Sequence, residues 1–423
     1  MAIQLIDSPQ NQAIFSQSPI PFIVSESNSE ALTSSSFQYV AELYYWQGHQ
    51  TSDKPSTSQY TLTKFPNNSG SGIFDVSRVV SSLFSEPRAA DSSSVYWIEG
   101  DFYTQFKTSP SSSFVTGSHL GSGQFPVFDG YQKFQAGVQS VFGGFNMGND
   151  KGVIQSSSAY WPIMTDGPTS QSYLDTNYGR MSIWRGLEAT SGDVPTALIY
   201  SASVSGEDQS VVITFPTSSE SDLQVATFPI SPLEPDWPLD NDPDTIQNFE
   251  IFAINSGTNY NGTNRMNERI HFDLVCNKKY PNIRVKWKNR FGQWDYHNFN
   301  LVSRETFSVN RSQYQPQIGT WDARLLTYND YETAIQNYIA DETLKITVNS
   351  DYLNEGYNES FKQLMLSDEI YWVYQEGSEM DGTDRVRPLA IDDTQFNIKT
   401  NVVDKLIQYQ FTFTQGQGYK LIF

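Results

Sequence analysis

Residues 276–299 read CNKKYPNIRVKWKNRFGQWDYHNF, and this stretch decides the fold. From Ile283 to Lys288 apolar and cationic side chains alternate strictly, which predicts a β-strand with one apolar and one polar face. The next four residues, 289–292, read NRFG and favour a turn, because Asn and Gly tolerate left-handed backbone conformations. A second aromatic run follows at Trp294, Tyr296 and Phe299. We therefore predict a β-hairpin whose aromatic face lies in a core.

The cations of this stretch are expected to point outward, where charge discourages edge-to-edge aggregation. They are Lys278, Lys279, Arg284, Lys286, Lys288 and Arg290. In that position the hairpin loop 289–293 and the strand 284–288 could pair with an acidic face of a neighbouring subunit. The competing interpretation is a nucleic-acid platform, since cations interleaved with aromatic rings suit base stacking and phosphate contact. The net charge of −20 opposes it, because so acidic a chain repels a polyanion except through a local patch.

The composition is typical of a β-rich extracellular or virion protein. The chain has 423 residues, enough for two to four domains. Aromatic residues make up 14% and charged residues only 17%, so Ser, Thr, Asn and Gln must form much of the surface. The aromatic side chains provide enough apolar area for burial to exclude a disordered chain.

The cysteine content and the N-terminal sequence limit the cellular compartments in which the protein is expected. A lone cysteine, Cys276, excludes an internal disulfide framework and a cysteine-rich metal site. The first ten residues, MAIQLIDSPQ, lack the features of a signal peptide, and no run approaches the ~20 apolar residues of a membrane span. We expect synthesis in a host cytoplasm, location in a virion and no membrane span.

The pattern along the chain predicts a mainly β protein with several antiparallel β-sandwich domains and one or two short helices. Four regions are expected. They are an N-terminal β-sandwich (1–110), a loop-rich β region with features of an inserted module (111–235), a central β domain containing the hairpin (236–340) and a C-terminal α+β sheet domain (341–423).

Several elements are predicted individually. Residues 19–24 are expected to form an edge strand because proline cannot donate to a ladder. Asp75 is placed to cap a short helix. Residues 321–339 are expected to be partly helical, residues 354–365 to form an amphipathic helix, and residues 394–400 to form a strand.

The sequence predicts no catalytic, cofactor-binding or metal-ligating residues. Phosphate-binding loops, dinucleotide-binding glycine patterns and metalloprotease helices are missing from it. The four histidines lack metal-ligand spacing and are expected to be surface or hydrogen-bonded residues: His49, His119, His271 and His297. Asp240, Asp242 and Asp244 resemble the start of a calcium loop. They lack the glycine and glutamate that such a loop needs, so a solvated acidic loop is favoured over an irregular calcium site.

Two aromatic clusters could stack on sugar rings. One is the run 44–46, Tyr-Tyr-Trp, and the other is the run 371–374, Tyr-Trp-Val-Tyr. Strand periodicity favours the alternative, in which alternate rings are buried in a core.

Three stretches carry a resemblance to a known class of protein. They are SPIPFIVS with the later KFPNN and GIFDVSRVV, the hairpin IRVKWKNRFGQWDYHNF, and LKITVNSDYLNEGYNESFKQLMLSDEIYWV. Together they resemble virion structural proteins of tailed bacteriophages from marine and Bacteroidetes-like hosts. The resemblance covers about half the chain, includes no catalytic motif, and implies a tail or tail-tip component built from β-sandwich domains.

The function expected from the sequence is therefore structural and non-enzymatic. The protein is expected to be a subunit of a phage tail, in the baseplate, tail tip or distal ring, that forms a cyclic homo-oligomer with other tail proteins as partners. Two alternatives stay open, a tail adhesin that binds host surface glycan and a tail-associated glycan hydrolase. Direct nucleic-acid binding is not expected.

Overall fold

A computed structural model shows how the chain folds. It describes residues 3–8, 14–27, 32–47, 51–84, 95–131, 165, 167–168, 170–174, 179–184, 197–204, 207–214, 225–231, 237–239, 246–254, 265, 269–275, 280–316, 319–322, 325–327, 335–375, 385–400, 407–415 and 420–422. The predicted fold class is confirmed, because the protein is mainly β, with antiparallel and mixed sheets and two short α-helices among these residues.

The chain divides into two compact units. The first comprises Met1–Asn277 and Lys288–Asp295, and the second comprises Lys278–Trp287 and Tyr296–Phe423. The hairpin predicted from the sequence is therefore divided, with its tip in the first unit and most of its two strands in the second. The division into four domains stays a prediction.

The first unit begins with two sheets and a short helix. The strands are β1 (Ile3–Asp7), β2 (Ile14–Phe15), β3 (Pro21–Glu26), β4 (Gln38–Trp46), β5 (Tyr60–Lys64), β6 (Ser71–Asp75), β7 (Tyr96–Lys107), β8 (Phe114–Thr116) and β9 (Leu120–Phe128). Helix α1 (Ser77–Ser81) continues into a 3-10 turn (Ser82–Phe84). The order is β1-β3-β6 in the three-stranded sheet and β2-β9-β7-β4-β5 in the six-stranded sheet, where β8 also pairs with β7.

These two sheets share one aromatic core and form a sandwich. The ring of Phe22 in β3 lies 5.3 Å from that of Phe102 in β7, and Phe74 in β6 lies 5.8 Å from the same ring. Along β4 the odd-numbered residues Tyr39, Ala41 and Leu43 enter this core. The period of two in the sequence thus becomes one buried face of each sheet.

The rest of the first unit forms a second core. Its strands are β10 (Ser170–Leu174), β11 (Arg180–Trp184), β12 (Ala197–Val204), β13 (Glu207–Thr214), β14 (Val225–Pro229), β15 (Ile246–Ile254) and β16 (Ile270–Val275). Five of them form a sheet in the order β10-β16-β15-β12-β13, and β11 pairs with β14. Stacked rings of Phe249 and Phe272, 4.9 Å apart, lie at the centre of this core.

The second unit is built on an eight-stranded sheet. The strands of this unit are β17 (Ile283–Lys288), β18 (Trp294–Phe299), β19 (Arg304–Tyr314), β20 (Thr320–Asp322), β21 (Leu325–Thr327), β22 (Gln336–Asn349), β23 (Ile370–Gln375), β24 (Arg385–Ile391), β25 (Gln410–Gln415) and β26 (Lys420–Ile422). The sheet order is β18-β17-β23-β24-β25-β22-β19, and β26 also pairs with β22, while β20 and β21 pair with each other.

The predicted amphipathic helix is confirmed as α2 (Tyr357–Leu366), which covers this sheet. Tyr357, Phe361 and Leu364 are buried on one face. The Phe361 ring lies 5.2 Å from Phe411 and 6.2 Å from Phe299, so a single aromatic side chain joins the helix to two distant strands. None of the helices in the described ranges is long and apolar enough to span a bilayer.

Several predictions of individual elements were wrong. The segment 19–24 was expected at an edge, but β3 lies between β1 and β6, and Pro21 is tolerated because it is the first residue of that strand. Within 321–339, residues 321–322, 325–327 and 336–339 lie in strands rather than in a helix, and residues 323–324 and 328–334 lie outside the described residues. Residues 394–400 have no regular structure.

The helix cap was also misassigned. Val76 is the N-cap residue of α1, and the helix has no side-chain cap. Asp75 instead accepts hydrogen bonds from the backbone N–H of Ser77 at 3.0 Å and of Ile20 at 3.1 Å. The carboxylate therefore ties the start of the helix to the residue before β3.

Candidate functional site

The hairpin strands are confirmed, but their cations do not point outward. Arg284 and Lys286 in β17 are 1% and 0% exposed, because this strand is covered on both faces. The Arg284 guanidinium lies 4.6 Å from the centre of the Tyr296 ring, an arrangement that stabilises a desolvated cation. Because both side chains are buried, they cannot present a basic face to a neighbour. Lys278 and Lys279 lie outside the described residues.

The remaining cations brace the hairpin tip inside the first unit. The Lys288 ammonium forms an ion pair with Asp129, which follows β9, and the two side chains are only 10% and 13% exposed. The other carboxylate oxygen of Asp129 accepts a hydrogen bond from Ser16 Oγ at 2.9 Å. Arg290 is fully buried, with its guanidinium 4.1 Å from the centre of the Phe291 ring. The tip is thus bonded to the segment that follows β9, and Asp129 of that segment is bonded in turn to Ser16.

Two glycines allow the tip to approach the backbone that follows β9. A Cβ on Gly130 would lie 2.1 Å from the carbonyl oxygen of Arg290, and a Cβ on Gly292 would lie 2.5 Å from that of Asp129. Gly292 also has a φ of 73°, which side chains disfavour. The N–H of Tyr131 donates to the Arg290 carbonyl at 2.8 Å. The turn predicted at 289–292 is therefore correct, and its glycine serves both the turn and this close contact.

One asparagine organises the turn. The Asn289 Oδ1 accepts hydrogen bonds from the N–H groups of Phe291 and Gln293, both at 3.0 Å. Its Nδ2 donates to Asp295 Oδ1 at 3.0 Å. The Phe291 ring then enters the core of the first unit, 6.2 Å from Phe15. The chemistry of the tip is structural, since these polar atoms are directed at one another.

The first aromatic cluster, 44–46, is split by the strand it lies in. Trp46 is buried, and Tyr45 packs on Tyr60 with ring centroids 6.0 Å apart. Tyr44 lies on the opposite face from the core and is half-buried, with the Lys54 ammonium 4.8 Å from its ring centre. Core packing is thus the main role of this cluster, and one tyrosine remains accessible.

Tyr44 belongs to a polar surface that sequence reasoning missed. We call it the acidic-tyrosine face: Glu42, Tyr44, Glu99, Asp101 and Tyr103, on adjacent strands β4 and β7. The Tyr103 hydroxyl donates to Glu42 Oε1 at 3.2 Å. Burial, and next the negative charge of Glu42, raise the pKa of both tyrosines. The alternating polar residues of β4 and β7 were visible in the sequence, but their pairing across the two strands was not.

A histidine, a lysine and an amide border the acidic-tyrosine face. His119 Nδ1 lies 2.7 Å from Asp101 Oδ2, and Lys54 Nζ lies 2.7 Å from Glu99 Oε1. Gln124 Nε2 donates to the second Glu99 oxygen at 3.0 Å. Carboxylates beside tyrosine rings supply the acceptors and flat apolar faces that suit sugar hydroxyls and ring C–H groups.

The second aromatic cluster is largely buried in the second unit, and its Trp372 packs against the core. Tyr371 and Val373 are buried, and Trp372 is covered by Arg387, whose guanidinium is 5.5 Å from its ring centre. The Tyr371 hydroxyl donates to Glu369 Oε2 at 3.2 Å. Burial, followed by the charge of Glu369, raises the pKa of Tyr371 to about 12. The side chain of Tyr374 lies outside the described residues.

The described histidines lie at three different places. His119 borders the acidic-tyrosine face, His271 Nε2 is 3.1 Å from Asp273 Oδ1, and the His297 ring meets that of Phe361 edge-on at 4.9 Å. His49, Cys276 and the acids at 240, 242 and 244 lie outside the described residues. Across the part of the chain that the structure describes, no group of three or more His, Cys, Asp or Glu side chains is placed to hold a metal ion.

The edge of the eight-stranded sheet, formed by β19 and β22, is the second surface that the sequence did not reveal. We call β19 with β22 the arm. They pair in antiparallel fashion from Arg304 opposite Thr347 to Tyr314 opposite Gln336. Nearly every side chain of β19 is exposed, and β22 becomes buried only towards its end. The expectation of partial helix at 321–339 hid this feature, because it separated the first residues of β22 from the rest of the strand.

Large apolar side chains remain exposed on the arm. Tyr314, Ile335 and Tyr338 lie where β19 ends and β22 begins, and we call them the apolar end of the arm. The rings of Tyr314 and Tyr338 meet edge-on with centroids 6.0 Å apart. Phe307, in the middle of β19, is 62% exposed. Such side chains grouped at the exposed edge of a sheet are typical of a surface that contacts another molecule.

Comparison with known proteins adds no family. No model of a protein family matches this chain. Among curated proteins no similar sequence is found.

Proposed function

We propose that this protein is a non-enzymatic structural subunit of a bacteriophage tail, placed in the baseplate, tail tip or distal ring and assembled as a cyclic homo-oligomer. The three resembling stretches supply the phage assignment. The observation that carries the structural role is the arm, whose apolar end exposes Tyr314, Ile335 and Tyr338. Exposed aromatic side chains at the edge of a large sheet favour contact with another subunit.

Electron microscopy tests this proposal directly. Negative-stain images of the purified full-length protein are expected to contain closed rings, and gold-labelled antibody is expected to bind one position on the tail of intact virions. A Tyr338→Asp variant is expected to lose the rings while keeping its circular dichroism spectrum. Gln313→Asp, an equally exposed change on the arm, serves as the control. Virions that carry no label on the tail would contradict the proposal.

The acidic-tyrosine face favours a second candidate, a tail adhesin that binds host surface glycan. Its support is the pairing of Tyr44 and Tyr103 with three carboxylates on one sheet face. A glycan array probed with the full-length protein tests it. Binding that is lost in Tyr44→Ala and kept in Tyr60→Ala, at the edge of the same sheet, would favour the adhesin over a purely structural role.

A further inference from the structure

The free edge of the arm carries a self-complementary pattern. We propose that two copies of this chain join by antiparallel pairing of β19 with β19, about a two-fold axis at Ser308, so that the eight-stranded sheets of both copies become continuous. This inference concerns the strand edge itself. It holds whether or not the protein belongs to a phage tail, and so it goes beyond the proposed function.

The edge is long enough to form such a contact. Among the described strands β19 pairs only with β22 and ends the eight-stranded sheet. It has 11 residues. In an antiparallel ladder alternate residues direct their N–H and C=O groups to opposite sides, so about half of these backbone groups face the open edge. An exposed edge of this length is a template for another strand.

The two faces of β19 differ in character. Odd-numbered residues share the face of Ile346 and Leu344, which belong to the core of the second unit: Glu305 lies opposite Ile346 and Phe307 opposite Leu344. Even-numbered residues from Arg304 to Ser312 are all polar. When the odd-numbered residues of both copies lie on the same face of the joined sheet, the apolar face is extended. Any other pairing places apolar residues beside polar ones.

Symmetry restricts the possible registers. A two-fold axis perpendicular to the sheet keeps the same face of both copies on the same side. Odd-numbered residues of one strand then lie opposite odd-numbered residues of the other. The axis must therefore lie at a residue that is opposite its own copy, rather than between two consecutive residues. Only a few centres remain along β19, and they differ in which side chains meet.

The centre at Ser308 is the register in which both charge and apolar contacts match. Glu305 then lies opposite Arg311 of the second copy, and Phe307 lies opposite Val309 of the second copy, with each pair occurring twice. Opposite charges and aromatic–β-branched pairs are the cross-strand contacts that stabilise sheets. A centre at Phe307 places Glu305 opposite Val309, and a centre at Val309 places Phe307 opposite Arg311, so both neighbouring registers mismatch these residues.

The side chains in question are available for this contact. Glu305, Phe307 and Arg311 are exposed, and Val309 is half-buried. Neither Glu305 nor Arg311 forms an ion pair with any residue that the structure describes. A second copy would therefore supply each charge with its counter-charge. Such a contact joins subunits in twos, whereas closing a ring requires a separate head-to-tail contact.

Charge exchange tests the proposed register. Sedimentation equilibrium of the full-length chain carrying Tyr338→Asp, the variant that is expected to lose the rings, is expected to show a dimer. Glu305→Arg places two cations opposite each other at two symmetric positions and is expected to raise the dimer dissociation constant about tenfold. Adding Arg311→Glu to the same chain is expected to restore the original constant. Arg304→Glu, on the polar face opposite Ser312, is the control and is expected to have little effect.

Cysteine cross-linking provides a test that does not depend on the charge variants folding. In a Cys276→Ser background, Ser308→Cys lies opposite itself and is expected to form a disulfide-linked dimer on mild oxidation. Thr306→Cys lies opposite Asn310 and is expected to form no disulfide-linked dimer. A mixture of Thr306→Cys and Asn310→Cys chains is expected to cross-link. A monomer at all concentrations, a dimer insensitive to Glu305→Arg, or equal cross-linking of the two single cysteines would overturn the proposal.

Discussion

Strand β17 of the hairpin and strand β19 of the arm differ in burial. Strand β17 carries cations and is buried, whereas β19 carries apolar side chains and is exposed. Arg284 and Lys286 in β17 are inaccessible, whereas Phe307 in β19 is largely exposed. Both strands alternate in sequence, so alternation does not separate them. The difference lies in their neighbours, since β17 is covered on both faces and β19 is the last strand of its sheet. Periodicity thus reports the shape of a strand, and the surrounding layers decide which face is buried.

The same substitution made in both places gives the largest expected difference. Phe299→Ala removes a fully buried ring of β18 and is expected to lower the free energy of unfolding by about 3–5 kcal/mol. Phe307→Ala removes an exposed ring of β19 and is expected to change it by less than about 0.5 kcal/mol. Urea denaturation at low protein concentration, where subunit contacts do not contribute, measures both values. Equal losses would show that the two strands do not differ in this way.

A glycine comparison tests the close approach at the hairpin tip. Gly130→Ala places a Cβ against the backbone carbonyl of Arg290, and because backbone cannot rotate away, we expect a loss of about 3 kcal/mol. In Gly121→Ala, at the start of β9, the added Cβ meets only the end of the Glu99 side chain at 3.8 Å. This change is expected to cost under about 0.5 kcal/mol. Thermal unfolding of the two variants measures the difference. A tolerated alanine at 130 would mean that the tip is not held against this segment.

Two ion pairs sharpen the contrast between buried and exposed charge. Lys288→Met leaves Asp129 nearly buried without its cation and is expected to cost about 2 kcal/mol. The double variant Lys288→Met with Asp129→Asn removes that unpaired charge and is expected to recover part of the loss. Lys345→Met breaks the pair that the arm makes with Asp392, where the side chains are 47% and 28% exposed, and is expected to cost under about 1 kcal/mol. Chemical denaturation of the three variants provides the measurement.

The smallest effect is a pH dependence beside the hairpin, at Tyr371 of β23. Its pKa is raised to about 12, whereas an unfolded tyrosine titrates near 10. The neutral phenol therefore stabilises the fold fully below pH 10, and this contribution is lost as the pH rises from 10 to about 12. Tyr371→Phe is expected to flatten the fall of the unfolding free energy over that window while changing stability at pH 7 only slightly. An unaltered alkaline slope would contradict the assignment.

Much of the secondary structure followed from the sequence because it depends on short-range pattern. The hairpin strands β17 and β18, the turn at 289–292 and the helix α2 were all predicted close to their observed bounds. The errors occur where distant segments compete with local propensity. The segment 321–339 was expected to be partly helical, yet its residues 336–339 lie in β22 and pair with β19 across an intervening segment of the chain. The proline-containing strand β3 is central because β1 and β6 pair with it on both sides.

The candidate surfaces followed from the sequence far less. The acidic-tyrosine face depends on Glu42 lying opposite Asp101, residues 59 positions apart in the chain. The exposed edge of β19 depends on the sheet ending there. The sequence by itself determined that the chain forms strands, that they are rich in aromatic residues and that a hairpin lies at 283–299. Only the tertiary structure decided that the hairpin cations are buried and that the arm is exposed, because burial depends on contacts between residues that are far apart in sequence.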